Sequence, residues 1–258
     1  IRKGYDLYMN ILVVNDDGID ARGLCELTRA LHEDAGATVY VSAPEDQRSA
    51  MSQAISIRHP VGVYEAAFDC AEKAFVTTGT PADCVVVGLK VLNDLGIDVD
   101  MVFSGINHGS NVGTDTLYSG TVGAAMEGLV QGLPSVAVSV DSHEAEHFEY
   151  ACALAVDTVK KTGGGWNENV ILNINTPDLP AAEIKGVIYT TVGEREYTKD
   201  IRIDRTEGKM TWYRYGGEPV FYEGKPETLD VIAIQNGYAS ISLLQPDMSA
   251  YGYKEKLK

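Results

Sequence analysis

Oxygen-bearing side chains follow a buried strand near the start of the chain. The run Ile11-Leu12-Val13-Val14 is aliphatic, which is typical of a strand covered on both faces of a parallel sheet. Asp16, Asp17 and Gly18 cannot continue such a strand and mark its carboxyl end, where open α/β sheets bind their ligands. Adjacent carboxylates repel each other and lose hydration there, and a hard divalent cation relieves both costs. A turn that caps the next helix explains the same residues equally well.

A loop after the next predicted strand offers another oxygen ligand. Thr38 to Val41 is predicted to be that strand, and Arg48 and Ser49 follow it. Because the carboxyl ends of parallel strands meet at one edge of a sheet, the Ser49 hydroxyl could join the aspartates. Serine is also common in loops that bind nothing, and Arg48 could meet an anion or extend into solvent.

A glycine-rich segment, Ser104 to Gly113, follows the predicted strand Met101 to Phe103. It matches neither the dinucleotide-binding fingerprint nor the P-loop. Asn107 and Asn111 lie in it, and an asparagine side chain can offer an oxygen to a hard metal or an N–H to phosphate. His108 could act as a general acid or base, but the sequence identifies no partner for it, and a polar loop residue fits as well.

A candidate anion site precedes the predicted helix Val122 to Gln131. Ser119, Gly120 and Thr121 would supply two hydroxyl groups and free backbone N–H groups at the positive end of the helix dipole. A routine Ser/Thr cap is the alternative. A cation site beside an anion site suits phosphoryl transfer, in which a metal polarises the phosphoryl group and activates the attacking water.

Composition limits the classes of partner. The chain of 258 residues carries 21 basic and 37 acidic side chains, a formal charge of −16, which disfavours nucleic-acid polymers and anionic membranes. Small phosphorylated ligands stay compatible with this charge because a bound metal can reverse the local field. Four scattered cysteines without a Cys-x-x-Cys pair suit a reducing cytosol. We see no membrane-spanning run and no signal-peptide pattern, so the predicted location is cytoplasmic.

Alternating strand and helix patterns predict an α/β fold. We expect a Rossmann-like, mostly parallel sheet with helices on both faces over residues 9–183, preceded by an N-terminal extension at residues 1–8. Residues 184–258 are predicted to form a β-rich extension. Within it, Asp230 to Ile234 and Ala239 to Leu244 read as strands around a hairpin turn at Asn236-Gly237. Aromatic residues near Trp212 are expected to pack on the main domain or on another subunit.

Taken in order, the motifs closely resemble the SurE (stationary-phase survival protein E) family, from about Met9 to Tyr251. The segments that carry the resemblance are Asn15-Asp16-Asp17-Gly18, Arg48-Ser49-Ala50, Thr78-Gly79-Thr80-Pro81-Ala82-Asp83, Ser104-Gly105-Ile106-Asn107-His108-Gly109-Ser110-Asn111, Tyr118-Ser119-Gly120-Thr121-Val122 and Gly237-Tyr238-Ala239-Ser240-Ile241-Ser242. Several motifs in a fixed order are far more specific than any one of them.

The resemblance implies a metal-dependent phosphohydrolase acting on nucleoside 5′- and 3′-monophosphates, and in some members on short polyphosphate. It implies one Mg²⁺ or Mn²⁺ per subunit and a C-terminal part that exchanges between subunits, giving a homodimer or a tetramer. It places the metal ligands, with the two catalytic carboxylates first, at Asp16, Asp17, Ser49 and Asn107. It places the contacts to the substrate phosphate at Asn111, Ser119, Gly120 and Thr121.

Four other functions are alternatives to this one, and one of them, a purely structural oligomer, would not need the polar site loops. A nucleotide- or Mg²⁺-binding module would use the same residues without catalysis, and an exopolyphosphatase would act on short polyphosphate instead of nucleotides. A Rossmann dehydrogenase is disfavoured, because carboxylates at the end of the first strand would repel the dinucleotide pyrophosphate.

Overall fold

A computed structural model describes residues 9–163, 165–166, 169–221 and 223–249. The predicted N-terminal extension at residues 1–8 lies outside these residues. Strands and helices alternate through most of the described chain. They are β1 (Asn10–Val14), α1 (Arg22–Glu33), β2 (Thr38–Pro44), β3 (Val63–Ala66), β4 (Lys73–Thr77), α2 (Pro81–Asp94), β5 (Met101–His108), α3 (Gly120–Val130), β6 (Ser135–Asp141), α4 (Glu149–Thr162), β7 (Ile171–Pro177), β8 (Val187–Thr190), β9 (Asp200–Glu207), β10 (Met210–Gly216), α5 (Asp230–Gln235) and β11 (Ala239–Leu244).

The described strands form one nine-stranded sheet and one separate hairpin. The order in the large sheet is β3-β4-β2-β1-β5-β6-β7-β11-β8, and β9 pairs with β10 in the hairpin. All pairings in the large sheet are parallel except β3 with β4 and β7 with β11. The predicted α/β class with a mostly parallel sheet is confirmed. The chain order reverses between β1 and β5, and ligands of such sheets bind beyond the carboxyl ends of the strands at this reversal.

The central strand β1 is buried on both faces, as its four aliphatic residues predict. Ile11 and Val13 point into one core with α1 and α4, whereas Leu12 and Val14 point into a second core with α2 and α3. All four side chains are fully buried. Helices therefore cover both faces of the sheet and leave its carboxyl edge to the loops. No helix of the described chain is long and apolar enough to cross a membrane.

The predicted strand Asp230 to Ile234 is wrong, because this segment forms helix α5. A short apolar run between turn residues cannot be assigned to a strand or a helix from periodicity alone. The predicted hairpin turn at Asn236-Gly237 is wrong for the same reason, since these residues end the helix and Gly237 adopts a φ of +81°. The strand β11 that follows is correctly predicted, but it pairs with β7 and β8.

The segment after residue 184 contributes strands to the main sheet and also forms a separate β-hairpin. Strands β8 and β11 extend the main sheet, while β9 and β10 form the two-stranded antiparallel hairpin. The hairpin aromatics do not pack on the main domain, since Trp212 is 41% exposed and Tyr215 is 83% exposed. The sequence predicts that these side chains pack on the main domain or on another subunit. Packing on another subunit remains a prediction.

Gly23→Ala tests the contact between α1 and the end of β5. Alanine is favoured over glycine in a helix by about 1 kcal/mol, but a Cβ atom here would lie 2.0 Å from the backbone oxygen of Ile106. The clash outweighs the helix propensity, and we expect a loss of about 3 kcal/mol in the free energy of unfolding. Urea denaturation measures it. Gly132→Ala is the control, because its Cβ would meet nothing within 4 Å and only its φ of +86° is strained. Equal or higher stability of Gly23→Ala would contradict the packing.

Candidate active site

The two aspartates after β1 are held by different parts of the chain. The Asp16 side chain is buried, and its Oδ1 accepts a hydrogen bond from the Thr121 hydroxyl at 2.6 Å. The Oδ2 atom of Asp17 accepts from the backbone N–H of His108 at 3.1 Å and lies 3.2 Å from its Nδ1. Gln47 donates to Asp17 Oδ1 at 3.3 Å. The pair is therefore fixed by α3, by the end of β5 and by the loop after β2.

The electrostatic environment of Asp16 disfavours its charged form. Desolvation by burial raises the pKa of Asp16 to about 6, and the charge of Asp17 adds to the increase. The hydrogen bond from Thr121 acts in the opposite direction and offsets only part of the desolvation. A cation beside Asp16 would lower this pKa and favour the carboxylate.

The loop after β2 brings Ser49 to the cavity that Asp16 lines. The backbone N–H of Arg48 donates to the backbone oxygen of Asp16 at 2.7 Å, and the N–H of Ser52 donates to the oxygen of Tyr118 at 2.9 Å. A Cβ atom at Gly123 would lie 2.2 Å from the backbone oxygen of Ser52, so the loop can lie on α3 only because this residue is glycine. Ser49 is thereby carried over the end of β1, where it lines the same cavity as Asp16.

The end of β5 contributes two asparagines. The amide nitrogen of Asn107 donates to the backbone oxygen of Gly109 at 2.6 Å, which leaves its Oδ1 for a donor or a cation. Asn111 is 6% exposed, and its amide nitrogen donates to the Ser139 hydroxyl at 2.9 Å. Both asparagines line the cavity that contains Asp16 and Ser49. The glycine-rich segment therefore reaches the predicted edge of the sheet.

The N-terminus of α3 faces the aspartates. Ser119 is the N-cap, and its Oγ accepts from the backbone N–H of Val122 at 3.0 Å, so its hydroxyl hydrogen is left for another acceptor. A Cβ atom at Gly120 would lie 2.7 Å from Asp16 Oδ2, which explains the glycine by close approach. Thr121 is fully buried, and its hydroxyl is bonded to Asp16. The predicted phosphate cradle therefore touches the predicted metal carboxylate.

One cavity of about 720 Å³ joins most of these residues. Five predicted site residues line it, and they are Asp16, Ser49, Asn107, Asn111 and Ser119. Asp17, Gly120 and Thr121 are not among its lining residues. Asp17 contacts the lining residues Gln47 and His108, and Gly120 and Thr121 lie against Asp16. Segments that are far apart in the sequence thus meet at one edge of the sheet.

The outer wall of the cavity comes from residues that the sequence did not indicate. Arg195 follows β8, and its Nη1 donates to the Ser110 hydroxyl at 2.7 Å. Its Nε lies 3.4 Å from Asp115 Oδ2, which also accepts from the Tyr197 hydroxyl at 2.5 Å. Burial and this hydrogen bond raise the pKa of Tyr197 to about 12, so its hydroxyl stays a donor. No motif marks this segment, and only its tertiary contacts bring it to the cavity.

The available donor set fits a hard cation. Within the described residues, no group of three or more His, Cys, Asp and Glu side chains could hold a metal ion. The side-chain oxygens of Asp16, Asp17, Ser49 and Asn107 are instead the donors that Mg²⁺ and Mn²⁺ prefer. Burial and the charge of Asp17 raise the pKa of Asp16, so a cation bound beside this carboxylate would be stabilising.

Comparison with known proteins identifies the family. The family model described as Survival protein SurE matches residues 11–199. The chain belongs to the SurE family. This confirms the resemblance seen in the motifs, and the match covers every predicted SurE site residue.

Full-length relatives agree with this assignment. The proteins named 5′-nucleotidase SurE from Synechococcus sp. (strain JA-3-3Ab) and from Syntrophomonas wolfei are 41% and 37% identical to this chain. Each alignment covers 97% of this chain, and 96% and 94% of the respective relative. The crystal structure of the SurE protein from Aquifex aeolicus superimposes with a TM-score of 0.80 at 34% identity, covering 96% of this chain and 98% of that one. SurE proteins therefore share its fold along almost the whole chain.

Asp16→Asn tests the electrostatic cost of the site in the presence of EDTA. The folded-state pKa of about 6 lies above the ordinary aspartate pKa of 3.8, so Asp16 contributes stability below about pH 4 that is lost as the pH rises through about 6. The variant should therefore gain up to about 3 kcal/mol of stability over the wild type at pH 8, and little at pH 4. Urea denaturation at both values measures this difference.

Asp94→Asn is the matched control, because Asp94 lies on the surface of α2 and pairs only with Lys90 among the described contacts. It should not acquire a stability advantage as the pH rises. A constant difference between Asp16→Asn and the wild type from pH 4 to pH 8 would contradict the raised pKa.

Proposed function

We propose that this chain is a divalent-metal-dependent phosphohydrolase that removes phosphate from nucleoside 5′- and 3′-monophosphates. One observation carries the proposal: the buried carboxylate of Asp16 accepts a hydrogen bond from Thr121 at the N-terminus of α3 and lines the same cavity as the oxygen donors Ser49 and Asn107. A cation and a phosphate group bound at these neighbouring places would be in contact. The names of the SurE relatives from Synechococcus and Syntrophomonas support a nucleotidase activity.

Asp16, Asp17, Ser49 and Asn107 would hold one Mg²⁺ or Mn²⁺ per subunit. When bound, this cation would polarise the phosphoryl group and lower the pKa of the attacking water. The protein itself fixes the carboxylates before any ligand arrives, through Thr121 on Asp16 and through His108 on Asp17. We assign His108 to orienting Asp17, because both its backbone N–H and its ring contact that carboxylate.

The phosphate group would be held at the N-terminus of α3. The Ser119 hydroxyl has a hydrogen available, because its oxygen already accepts from Val122. Gly120 lets the phosphate approach the helix dipole without a side chain in the way. The Thr121 hydroxyl donates a hydrogen bond to Asp16. We therefore assign Thr121 to holding the Asp16 carboxylate against the N-terminus of α3. Asn111, which lines the same cavity as Ser119, would complete the cradle.

The outer wall of the cavity suits a nucleoside. Tyr118, Tyr197 and Phe221 offer aromatic surfaces for a base, and Asp115 and Glu218 offer acceptors for ribose hydroxyl groups. The volume of about 720 Å³ lies within the range of small-molecule sites.

Two alternatives use the same site. A non-catalytic nucleotide- or Mg²⁺-binding module would bind without releasing phosphate. An exopolyphosphatase would need to admit a longer anionic chain, whereas Asp115, Asp141 and Glu218 line this cavity and Arg195 is already engaged with two of them. Their charges favour a mononucleotide over polyphosphate.

The oligomeric state and the cellular location of the protein are also proposals. We propose a homodimer formed by exchange of the C-terminal β-rich region, or a tetramer, in the cytoplasm. The exposed aromatic side chains of the β9–β10 hairpin, including Tyr213 and Tyr215, provide a surface for subunit contact.

Phosphate release from a panel of 5′- and 3′-mononucleotides tests the reaction. We expect release with Mg²⁺ or Mn²⁺ and none with EDTA, because the carboxylates need the cation. Asp16→Asn should lower kcat/KM by about 100- to 1000-fold through loss of electrostatic stabilisation, while Asp94→Asn keeps wild-type activity. Nucleotide binding without release would support the binding module, and faster release from short polyphosphate would support the exopolyphosphatase.

Tyr197→Ala tests the nucleoside wall. We expect KM for a mononucleotide to rise by about 10-fold, because an aromatic surface for the base is lost. The kinetic constants for p-nitrophenyl phosphate should change less, since this ester lacks a nucleoside. Tyr197→Phe keeps the ring and loses only the hydrogen bond to Asp115, so it is the control that should keep a KM near the wild-type value. Equal changes for both substrates would show that Tyr197 does not recognise the nucleoside.

A further inference from the structure

Two asparagines on β7 are unusual for their surroundings. Asn173 and Asn175 are fully buried in a strand that has neighbours on both sides, β6 and β11. Burial of an unpaired amide costs free energy, so side chains of this kind are normally found only where they have specific partners. Neither residue lines the cavity of the candidate active site.

Both side chains bond to the backbone of Asn111. The Oδ1 atom of Asn175 accepts from the Asn111 N–H at 2.7 Å, and its amide nitrogen donates to the Asn111 carbonyl oxygen at 3.3 Å. Asn173 donates to the same carbonyl oxygen at 2.8 Å. The side chain of Asn111 is fixed in turn by its bond to Ser139. Asn111 is therefore held at its backbone N–H, its carbonyl oxygen and its amide nitrogen.

The segment around Asn111 needs such restraint. It lies beyond the end of β5 and is flanked by Gly109 and Gly113, whose φ angles are +109° and +56°. Glycine gives a loop more conformational freedom, which disfavours one fixed position for the residues between. The Asn175 side chain bonds the N–H and the carbonyl oxygen of one residue, as a neighbouring strand would do. It replaces a sheet partner where β5 has ended.

We propose that Asn175, together with Asn173, is a positioning residue that sets the place of Asn111 against the substrate phosphate. This inference rests on the proposed function. It assigns a role in substrate binding to a strand that contributes no cavity residue of its own. Because small displacements of a contact group are costly in catalysis, loss of the clamp should reduce kcat/KM by about 10- to 100-fold.

The competing explanation is that Asn173 and Asn175 only stabilise the sheet. A control for this is Thr190→Val, which removes a buried hydroxyl that bonds to Ser240 and Ser242 elsewhere in the same sheet, each at 2.7 Å. It should lower stability without altering the kinetic constants. If Asn175 were only structural, Asn175→Leu would behave in the same way.

The test is a double-mutant cycle in the full-length protein with saturating Mg²⁺ or Mn²⁺. The four proteins are the wild type, Asn175→Leu, Asn111→Ala and the double variant, assayed with a 5′-mononucleotide well below their unfolding temperatures. We expect Asn175→Leu to raise KM and to weaken competitive inhibition by inorganic phosphate by about 10-fold, because both depend on Asn111. In the Asn111→Ala background the same substitution should change kcat/KM less than 2-fold.

The outcomes separate the two proposals. Equal losses in both backgrounds, or wild-type kinetics for Asn175→Leu, would overturn the positioning role. Absence of phosphate release by the wild type would instead refute the proposed function. If Asn175→Leu does not fold, Asn175→Ser takes its place in the cycle, since it also removes the amide and adds no apolar bulk.

Discussion

The desolvation of Asp16 beside Asp17 is the constraint on which the rest of the site depends. Burial, together with the charge of Asp17, raises the pKa of Asp16 to about 6. The groups bonded to the pair include the Thr121 hydroxyl, the Gln47 amide, and the backbone N–H and ring of His108. The Thr121 hydroxyl on Asp16 is uncharged and offsets only part of the desolvation, so a positive charge beside Asp16 would be stabilising. Under the proposed function a divalent cation supplies it, and the folded protein is less stable without it.

The order of the strands makes this arrangement possible. β1 lies between β2 and β5, so the loops that follow these two strands leave the sheet on either side of the aspartates. The loop after β2 carries Ser49, and Asn107 lies at the end of β5, before its loop begins, at the same edge. Gly120 and Gly123 let the start of α3 approach Asp16 and the Ser49 loop more closely than any side chain would permit. Strand β7 acts at a greater distance, through amide bonds to the backbone of Asn111.

Most of the core could be predicted because its local signals agree with its surroundings. The aliphatic run of β1 is where the sequence places it. The local segment Thr80-Pro81-Ala82-Asp83 begins α2, and the Thr80 hydroxyl accepts from the Asp83 backbone N–H at 3.1 Å. The segment at Asp230 misled the prediction, since a short apolar run fits either a strand or a helix. The buried carboxylate of Asp230 accepts from the backbone N–H groups of Gly113 and Gly193, and these contacts are invisible to local pattern.

The sequence by itself determined the α/β class, the family and the chemical types of the site residues, because strand periodicity and motifs are local properties of the chain. Only the tertiary structure decided that Thr121 bonds to Asp16, that Arg195 and Tyr197 form the outer wall, and that β7 holds Asn111. Each of these contacts joins residues 62 or more positions apart. Their formation depends on how the strands are ordered and how closely backbones approach, and neither property is encoded within a single motif.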